Sequence, residues 1–276
     1  MLPHDALIHR ALAEDLGARG DVTSALVIPE SARAEAVMRA RTPGVVAGMA
    51  VAARAFALCG AVEEVLALDG AAVDAGAILM RVTGPARAVL AAERVALNLA
   101  CRLSGIATAT AGMVAEAAGT KARIAATRKT APGLRALEKA AVEAGGGAPH
   151  RYGLYDAILI KDNHIAIAGG VAPALAAARG GAGHMLTVAV EVDTLGQLAE
   201  VLAAPAPPDS VLLDNMALDE AREAVAMVAG RFVVEYSGSV RPGRVAPIAA
   251  TGMDVISSGW LTHSAPALDL GLDVNT

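Results

Sequence analysis

The stretch Val211-Leu212-Leu213-Asp214 is a short apolar run that ends in a carboxylate. The same arrangement returns at Phe232-Val233-Val234-Glu235, and a further run follows at Val255-Ile256-Ser257. The centres of these three runs are about 21 to 23 residues apart, with helical patterns between them. Continuous apolar runs that alternate with helices are typical of buried parallel strands in βα units.

Three earlier runs extend this series toward the N-terminus. They are 123–127, 157–160 and 188–190. The sequence therefore predicts six or seven βα units, close to a barrel. The first half differs, because residues 21–90 show short β-like runs between turn residues. Residues 86–118 predict a long helix that is broken near Ser104-Gly105, and we place a domain boundary at residue 104.

In βα barrels the chemistry lies at the carboxyl ends of the strands. The residues that follow the predicted strands are Arg128, Lys129, Lys161, Glu191, Asp214 and the Ser237-Gly238 turn. A single charged residue at the end of a strand would be explained by exposure to solvent alone. Their presence at every strand end favours a shared site at one mouth of the barrel.

Cations are densest between residues 127 and 164, around Gly145-Gly146-Gly147 and His150-Arg151. Arginine forms planar two-pronged contacts with carboxylates, whereas lysine acts as a point charge for phosphates. The mixture predicts a substrate that carries carboxylates alongside phosphates. Ser237-Gly238-Ser239 and Ser258-Gly259 are typical of a backbone phosphate cradle.

Glu191 and Asp214 admit several interpretations beside so many cations. They could hold Mg²⁺, bind sugar hydroxyls or stabilise a developing positive charge. The alternative is a structural ion pair with the lysines. On the long helix, Arg94 and Arg102 are predicted to be solvated, and Asp21 is predicted to cap a helix.

Composition excludes several classes of protein. The net charge of −5 and the 2% aromatic content argue against a nucleic-acid binder. Cys59 and Cys101 are too few for a disulfide framework or a zinc site. No apolar run approaches the ~18 residues needed to span a bilayer. Without a signal-like N-terminus, we expect a cytoplasmic protein.

Beyond these patterns, the ordered motifs resemble the quinolinate phosphoribosyltransferase family over nearly the whole chain. The motifs that carry the resemblance are Gly20-Asp21-Val22-Thr23-Ser24, Glu93-Arg94-Val95-Ala96-Leu97-Asn98, Thr127-Arg128-Lys129-Thr130, the segment from Gly145-Gly146-Gly147 to His150-Arg151, Lys161-Asp162-Asn163-His164, Leu213-Asp214-Asn215-Met216 and Leu261-Thr262-His263-Ser264. The resemblance implies an α/β fold. It also implies an N-terminal α/β sandwich-like domain (1–104) followed by an incomplete seven-stranded βα barrel (105–264), with a tail (265–276) that rejoins the first domain.

The resemblance also implies partners, a cofactor and residue roles. The substrates would be quinolinate and phosphoribosyl pyrophosphate, and the cofactor would be Mg²⁺. The protein would form a homodimer, and several dimers could join in a larger assembly. Lys129, Lys161, Glu191 and Asp214 would be catalytic, the last two also holding the metal. The substrate-binding residues would be Arg94 (from the partner subunit), Arg128, His150, Arg151, Ser237, Gly238, Gly259 and His263.

One departure from the family pattern is Pro149, which stands where the family commonly has asparagine before His-Arg. Three more, at Tyr236, Ser239 and Trp260, are expected beside the phosphate cradle and bear on its shape. Two alternatives remain open. One is a related family of molybdenum utilisation, which shares Pro-His-Arg and acts on another substrate. The other is a non-catalytic scaffold that binds phosphate ligands on the same barrel. Neither a nucleic-acid nor a membrane role has support in the sequence.

Overall fold

The computed structural model describes residues 4–275, which divide into two compact units. The first unit comprises the chain up to Ala111, the segment Pro132–Gly146 and the chain from Ala265 onward. The second comprises Gly112–Ala131 and Gly147–Ser264. These units differ from the predicted domains chiefly at residues 132–146, which belong to the first unit.

The first unit combines helices with short antiparallel strands. Its elements are α1 (Asp5–Leu16), α2 (Val22–Val27), β1 (Arg33–Ala40), β2 (Gly44–Val45), α3 (Met49–Cys59), β3 (Val62–Val65), β4 (Ala72–Val73), β5 (Ile78–Pro85), most of α4 (Ala86–Glu116), α5 (Arg135–Ala144) and β12 (Leu270–Asn275). Asp21 caps α2 by accepting a hydrogen bond from the Ser24 amide at 3.0 Å, as predicted.

A four-stranded antiparallel sheet in the order β12-β1-β5-β3 is the centre of this unit. The end of the chain joins the sheet, because β12 pairs with β1 from Glu35–Asn275 to Ala40–Leu270. Helix α3 packs on β3 and β5 and buries Phe56 completely. The buried Asp5 of α1 forms a two-pronged ion pair with Arg54 of α3, at 2.9 and 3.0 Å.

Helix α4 is continuous through Ser104 and Gly105, so the predicted break is wrong. Both residues serve packing instead. The Ser104 hydroxyl accepts from the Ala47 amide at 3.0 Å and donates to the Ala47 carbonyl at 3.1 Å. A Cβ added at Gly105 would lie 2.1 Å from the carbonyl oxygen of Pro266. Only glycine at this position therefore lets the backbone at Pro266 approach the helix so closely.

The second unit alternates parallel strands with helices. Its elements are β6 (Arg123–Ala125), β7 (Ile158–Ile160), α6 (Asp162–Ala168), α7 (Val171–Gly181), β8 (Val188–Val192), α8 (Leu195–Ala203), β9 (Ser210–Asp214), α9 (Leu218–Val228), β10 (Val233–Ser237), α10 (Val245–Ala249), β11 (Val255–Ser257) and α11 (Trp260–His263). The six strands coincide with the six predicted apolar runs.

These strands form a parallel sheet in the order β6-β11-β10-β9-β8-β7, in which the last strand pairs with the first. Ala148 adds a seventh position beside β6 as an isolated parallel bridge to Ala125. Within residues 4–275, no ladder joins Ala148 to β7. The predicted α/β class is confirmed, with a six-stranded sheet and one bridge where seven strands were expected. No helix within the described range is long and apolar enough to cross a membrane.

Candidate active site

A cavity of about 900 Å³ opens in the second unit at the carboxyl ends of its strands. Eleven of the twelve predicted site residues line it, namely Arg128, Lys129, His150, Arg151, Lys161, Glu191, Asp214, Ser237, Gly238, Gly259 and His263. Arg94 is the exception. It lies on α4 in the first unit, where its side chain is exposed.

Strand alternation explains which residues face this cavity. Successive side chains of a strand point to opposite sides, so every second residue shares a face. On β9, Leu212 and Asp214 line the cavity, whereas Val211 and Leu213 are fully buried outside its lining. The same alternation brings Glu191 of β8 into the cavity between the buried Val190 and Val192.

The carboxylates of the cavity contact neighbouring polar groups. The Lys161 Nζ atom, just after β7, lies 2.5 Å from Oε2 of Glu191. Asp214 accepts a hydrogen bond from the side-chain amide of Asn215 at 3.0 Å. The ion pair with a lysine, which the sequence left open as an alternative, therefore exists for Glu191, and it lies in the cavity.

Arg128 and Arg151 form a cationic wall, and the His150 ring lies beside them in the cavity lining. The Arg151 guanidinium donates to the Ala157 carbonyl at 3.1 Å, which fixes the direction of the side chain. Burial, followed by the positive charge of Arg128, lowers the pKa of Arg151 below its usual value. A group whose charged form is disfavoured in this way gains from an anionic ligand. The wall therefore suits a ligand that carries carboxylates.

The Ser237-Gly238-Ser239 turn follows β10 and needs its glycine. Gly238 has a φ of +104°, and a Cβ added there would lie 2.2 Å from Oδ1 of Asn215. Gly259 is similarly close to the Lys129 side chain, which a Cβ would approach to 2.7 Å. The Thr262 hydroxyl of α11 donates to the Lys129 carbonyl at 2.8 Å and joins the two segments.

The three departures expected beside the phosphate cradle, Tyr236, Ser239 and Trp260, do not all line the cavity. Ser239 and Trp260 line the cavity as expected. Tyr236 does not, because it is buried on the opposite face of β10 and its hydroxyl donates to the Met216 carbonyl at 2.8 Å. Burial raises the pKa of this phenol. Tyr236 therefore lies next to the cradle along the chain, as expected, but its side chain does not line the cavity.

The sequence did not identify six charged or polar residues of the cavity as site residues, namely Thr127, Asn215, Glu235, Arg241, Arg244 and Ser257. A signal existed for Glu235, because it precedes Ser237 by two residues on one strand and must share its face. Glu235 is only 8% exposed. Its Oε1 atom and the Ser257 Oγ atom are buried and accept or donate no hydrogen bond among the described residues.

The donor set fits a magnesium ion. Glu191 and Asp214 stand on neighbouring strands and offer the oxygen ligands that Mg²⁺ prefers. The described part of the chain contains no group of three or more His, Cys, Asp or Glu able to hold a metal. Two carboxylates are what a site requires when substrate phosphates and water complete the coordination.

Comparison with known proteins places this architecture in one family. Residues 21–104 match the N-terminal domain of quinolinate phosphoribosyl transferase, and residues 106–273 match its C-terminal domain. The probable nicotinate-nucleotide pyrophosphorylase (carboxylating) of Bacillus subtilis is 42% identical over 97% of this chain and 92% of its own. The Mycobacterium leprae nicotinate-nucleotide pyrophosphorylase (carboxylating) is 44% identical over 97% and 95%.

Solved structures agree with the sequence relatives. The nicotinate-nucleotide pyrophosphorylase of Ehrlichia chaffeensis superposes with a TM-score of 0.93 at 38% identity, over 98% of both chains. That of Francisella tularensis gives 0.93 at 36% identity, over 100% of this chain and 98% of its own. The chain belongs to the quinolinate phosphoribosyltransferase family.

Proposed function

We propose that the protein transfers the phosphoribosyl group of phosphoribosyl pyrophosphate to quinolinate. The products are nicotinate mononucleotide, pyrophosphate and CO2, a step of de novo NAD biosynthesis. The observation that carries the proposal is the meeting of a cationic wall, a carboxylate pair and a glycine turn in one cavity. Each of these three features fits a different part of the two substrates.

The substrates divide the cavity between them. Arg128 and Arg151 bind the two carboxylates of quinolinate, for which paired guanidinium groups are well suited, and His150 lines the same pocket. Ser237, Gly238, Gly259 and His263 hold the 5′-phosphate through backbone amides and polar side chains. A separate set contacts the rest of phosphoribosyl pyrophosphate: Lys129, Lys161, Glu191 and Asp214.

Transfer begins when the pyridine nitrogen of quinolinate attacks C1 of the ribose and the C1–O bond to pyrophosphate breaks. Positive charge develops on the sugar ring, where Glu191 and Asp214 stabilise it. Lys129 and Lys161 neutralise the leaving pyrophosphate. When bound at Glu191 and Asp214, Mg²⁺ would add charge neutralisation of the phosphate oxygens. No covalent intermediate with the protein is needed.

Decarboxylation follows on the nucleotide. The bond between C2 of the ring and its carboxylate breaks, CO2 leaves, and the electron pair stays on C2. The quaternised nitrogen beside C2 stabilises this pair until a proton replaces the lost carboxylate. Arg128 and Arg151 meanwhile retain the remaining carboxylate, so the ring does not move between the two steps.

The assembly belongs to the same proposal. We infer a homodimer in which Arg94 reaches the quinolinate site of the partner subunit, in line with its exposure on α4. We also propose a cytoplasmic location, although relatives named chloroplastic and mitochondrial exist in plants.

An end-point assay tests the reaction. Purified protein with quinolinate, phosphoribosyl pyrophosphate and Mg²⁺ should yield nicotinate mononucleotide on chromatography. Lys161→Ala should lower kcat/KM by about a hundredfold or more, because it removes a cation from the leaving group. Lys121→Ala is the matched control, since Lys121 is 61% exposed and pairs with Asp254 outside the cavity lining. Excess EDTA should abolish the product.

The same assay separates the alternatives. A folded wild-type protein that makes no product from quinolinate contradicts the proposal. Turnover of another pyridine or pyrimidine carboxylate would then support the relative of molybdenum utilisation. Binding of phosphoribosyl pyrophosphate without turnover of any acceptor would support a non-catalytic scaffold.

A further inference from the structure

Glu235 is a buried carboxylate in a cavity whose proposed ligands are anions. It lies on β10 and lines the cavity, and its side chain is only 11% exposed. Burying a carboxylate is costly unless a polar partner compensates it. Its Oε1 atom has no hydrogen-bond partner within residues 4–275. A buried carboxylate with an unpaired oxygen needs an explanation, because an apolar side chain at this position would avoid the cost of burial.

The other oxygen of Glu235 faces His150. The Oε2 atom lies 3.4 Å from Nε2 of the imidazole. On the opposite side of the ring, Nδ1 accepts a hydrogen bond from the Arg151 amide at 2.8 Å. An Nδ1 atom that accepts carries no hydrogen, so the ring hydrogen is on Nε2 and points to Glu235. Contacts of this length in enzyme sites commonly shorten when substrate binds.

The backbone gives this ring contact a purpose. His150 has a φ of +54°, a left-handed conformation that is uncommon for residues other than glycine. Such a conformation persists only where the surroundings hold it. Arg151, the next residue, carries one of the guanidiniums of the cationic wall. Its position therefore depends on how firmly the His150 corner is held.

We propose that Glu235 is a positioning residue that holds the His150 ring, and with it the His150-Arg151 corner, in the geometry that binds quinolinate. The inference rests on the proposed function, and it adds a residue that acts through His150 rather than on the substrate. The ring is then held at both nitrogens, by the Arg151 amide on one side and Glu235 on the other.

Two variants of similar volume test this role. Glu235→Met removes both acceptors, while Glu235→Gln keeps an oxygen that can accept from Nε2. For Glu235→Met we expect the KM for quinolinate to rise about tenfold, with kcat and the KM for phosphoribosyl pyrophosphate within about twofold. Glu235→Gln should restore most of the affinity for quinolinate. Glu223→Gln, at an exposed position of α9, is the control and should change nothing.

A double variant separates positioning from general stability. In a His150→Ala background, Glu235→Met should have no further effect on the KM for quinolinate, because the ring it holds is gone. Equal effects in both backgrounds would overturn the proposal, as would a rise confined to the KM for phosphoribosyl pyrophosphate or no change at all. Inactivity of the wild-type protein would instead contradict the proposed function, so the two failures are distinguishable.

Discussion

Gly238 sits where backbone conformation and packing both exclude a larger residue. Its φ of +104° is unfavourable for any residue with a Cβ, and that atom would lie 2.2 Å from Oδ1 of Asn215. Asn215 itself has a φ of +54° and contacts Asp214 through its side chain. A substitution at Gly238 therefore affects the proposed phosphate cradle and the proposed ribose site together.

We expect Gly238→Ala to lower kcat/KM by about a hundredfold, chiefly through weaker binding of phosphoribosyl pyrophosphate. Steady-state kinetics with that substrate varied would measure the loss. Gly196→Ala is a suitable control, since Gly196 lies in α8 and its nearest neighbour to an added Cβ is Thr194 Oγ1 at 3.7 Å. Equal kinetics for Gly238→Ala and the wild type would show that the turn is not part of the phosphate site.

The apolar runs predicted that the charged residues which end them, such as Lys161, Glu191 and Asp214, lie together in one cavity. His263, by contrast, was assigned to the site only through the family resemblance. The sequence was less informative within a strand. Tyr236 and Glu235 are adjacent, yet one is buried outside the cavity and the other lines it. Which of the two faces the cavity depends on the alternation of side chains along the strand. Because Ser237 faces the cavity, the residue two positions before it, Glu235, must face the cavity too.

Helix α4 shows why local sequence signals mislead about an element. Serine and glycine in succession predict a break, since glycine lowers helix stability by about 1 kcal/mol relative to alanine. In the structure both residues face neighbouring chain segments of the first unit. Packing against residues distant in sequence therefore explains why serine and glycine occur here. No pattern within residues 86–118 could have predicted that packing. The bridge at Ala148 is similar, because a single paired residue leaves no periodic signal.

Gly105→Ala distinguishes packing from helix propensity by the sign of its effect. Propensity alone would stabilise the protein by about 1 kcal/mol. The close approach of Pro266 should reverse this and lower the free energy of unfolding by about 2 kcal/mol, because the added methyl has no room. Chemical denaturation followed by circular dichroism would measure the difference.

Gly112, in the same helix, provides the comparison. It is exposed, and a Cβ added there meets no described atom within 4 Å. Gly112→Ala should therefore raise the free energy of unfolding by about 0.5 to 1 kcal/mol. Stabilisation of similar size by both substitutions would mean that the tail does not pack on Gly105 in solution.

For the molecule as a whole, strand spacing predicted the α/β class and all six parallel strands. It did not predict that residues 132–146 belong to the first unit. One contact that ties this segment to α4 is an ion pair: Arg102, expected to be solvated, donates from Nε to Oε1 of the fully buried Glu138 in α5 at 2.8 Å. A buried carboxylate needs such a partner, but sequence alone does not say which arginine supplies it.

The largest proposal at this scale is that the quinolinate site is shared between two subunits. Consider a mixed dimer with one Arg94→Ala subunit and one Lys161→Ala subunit. If Arg94 acts in the partner's site, the two substitutions fall in the same active site of this dimer. One site of that dimer carries both substitutions and the other carries neither. Arg94→Ala alone and Lys161→Ala alone should each be nearly inactive.

Mixing the two inactive variants should therefore restore activity. When subunits of a symmetric dimer exchange at random, half of the dimers are mixed and each has one intact site, so about a quarter of the wild-type activity should return. Light scattering on a size-exclusion column would establish the dimer, and the end-point assay would follow the recovery. A dimeric mixture that stays inactive would mean that Arg94 serves the site of its own subunit, because both sites of every mixed dimer would then lack a required cation.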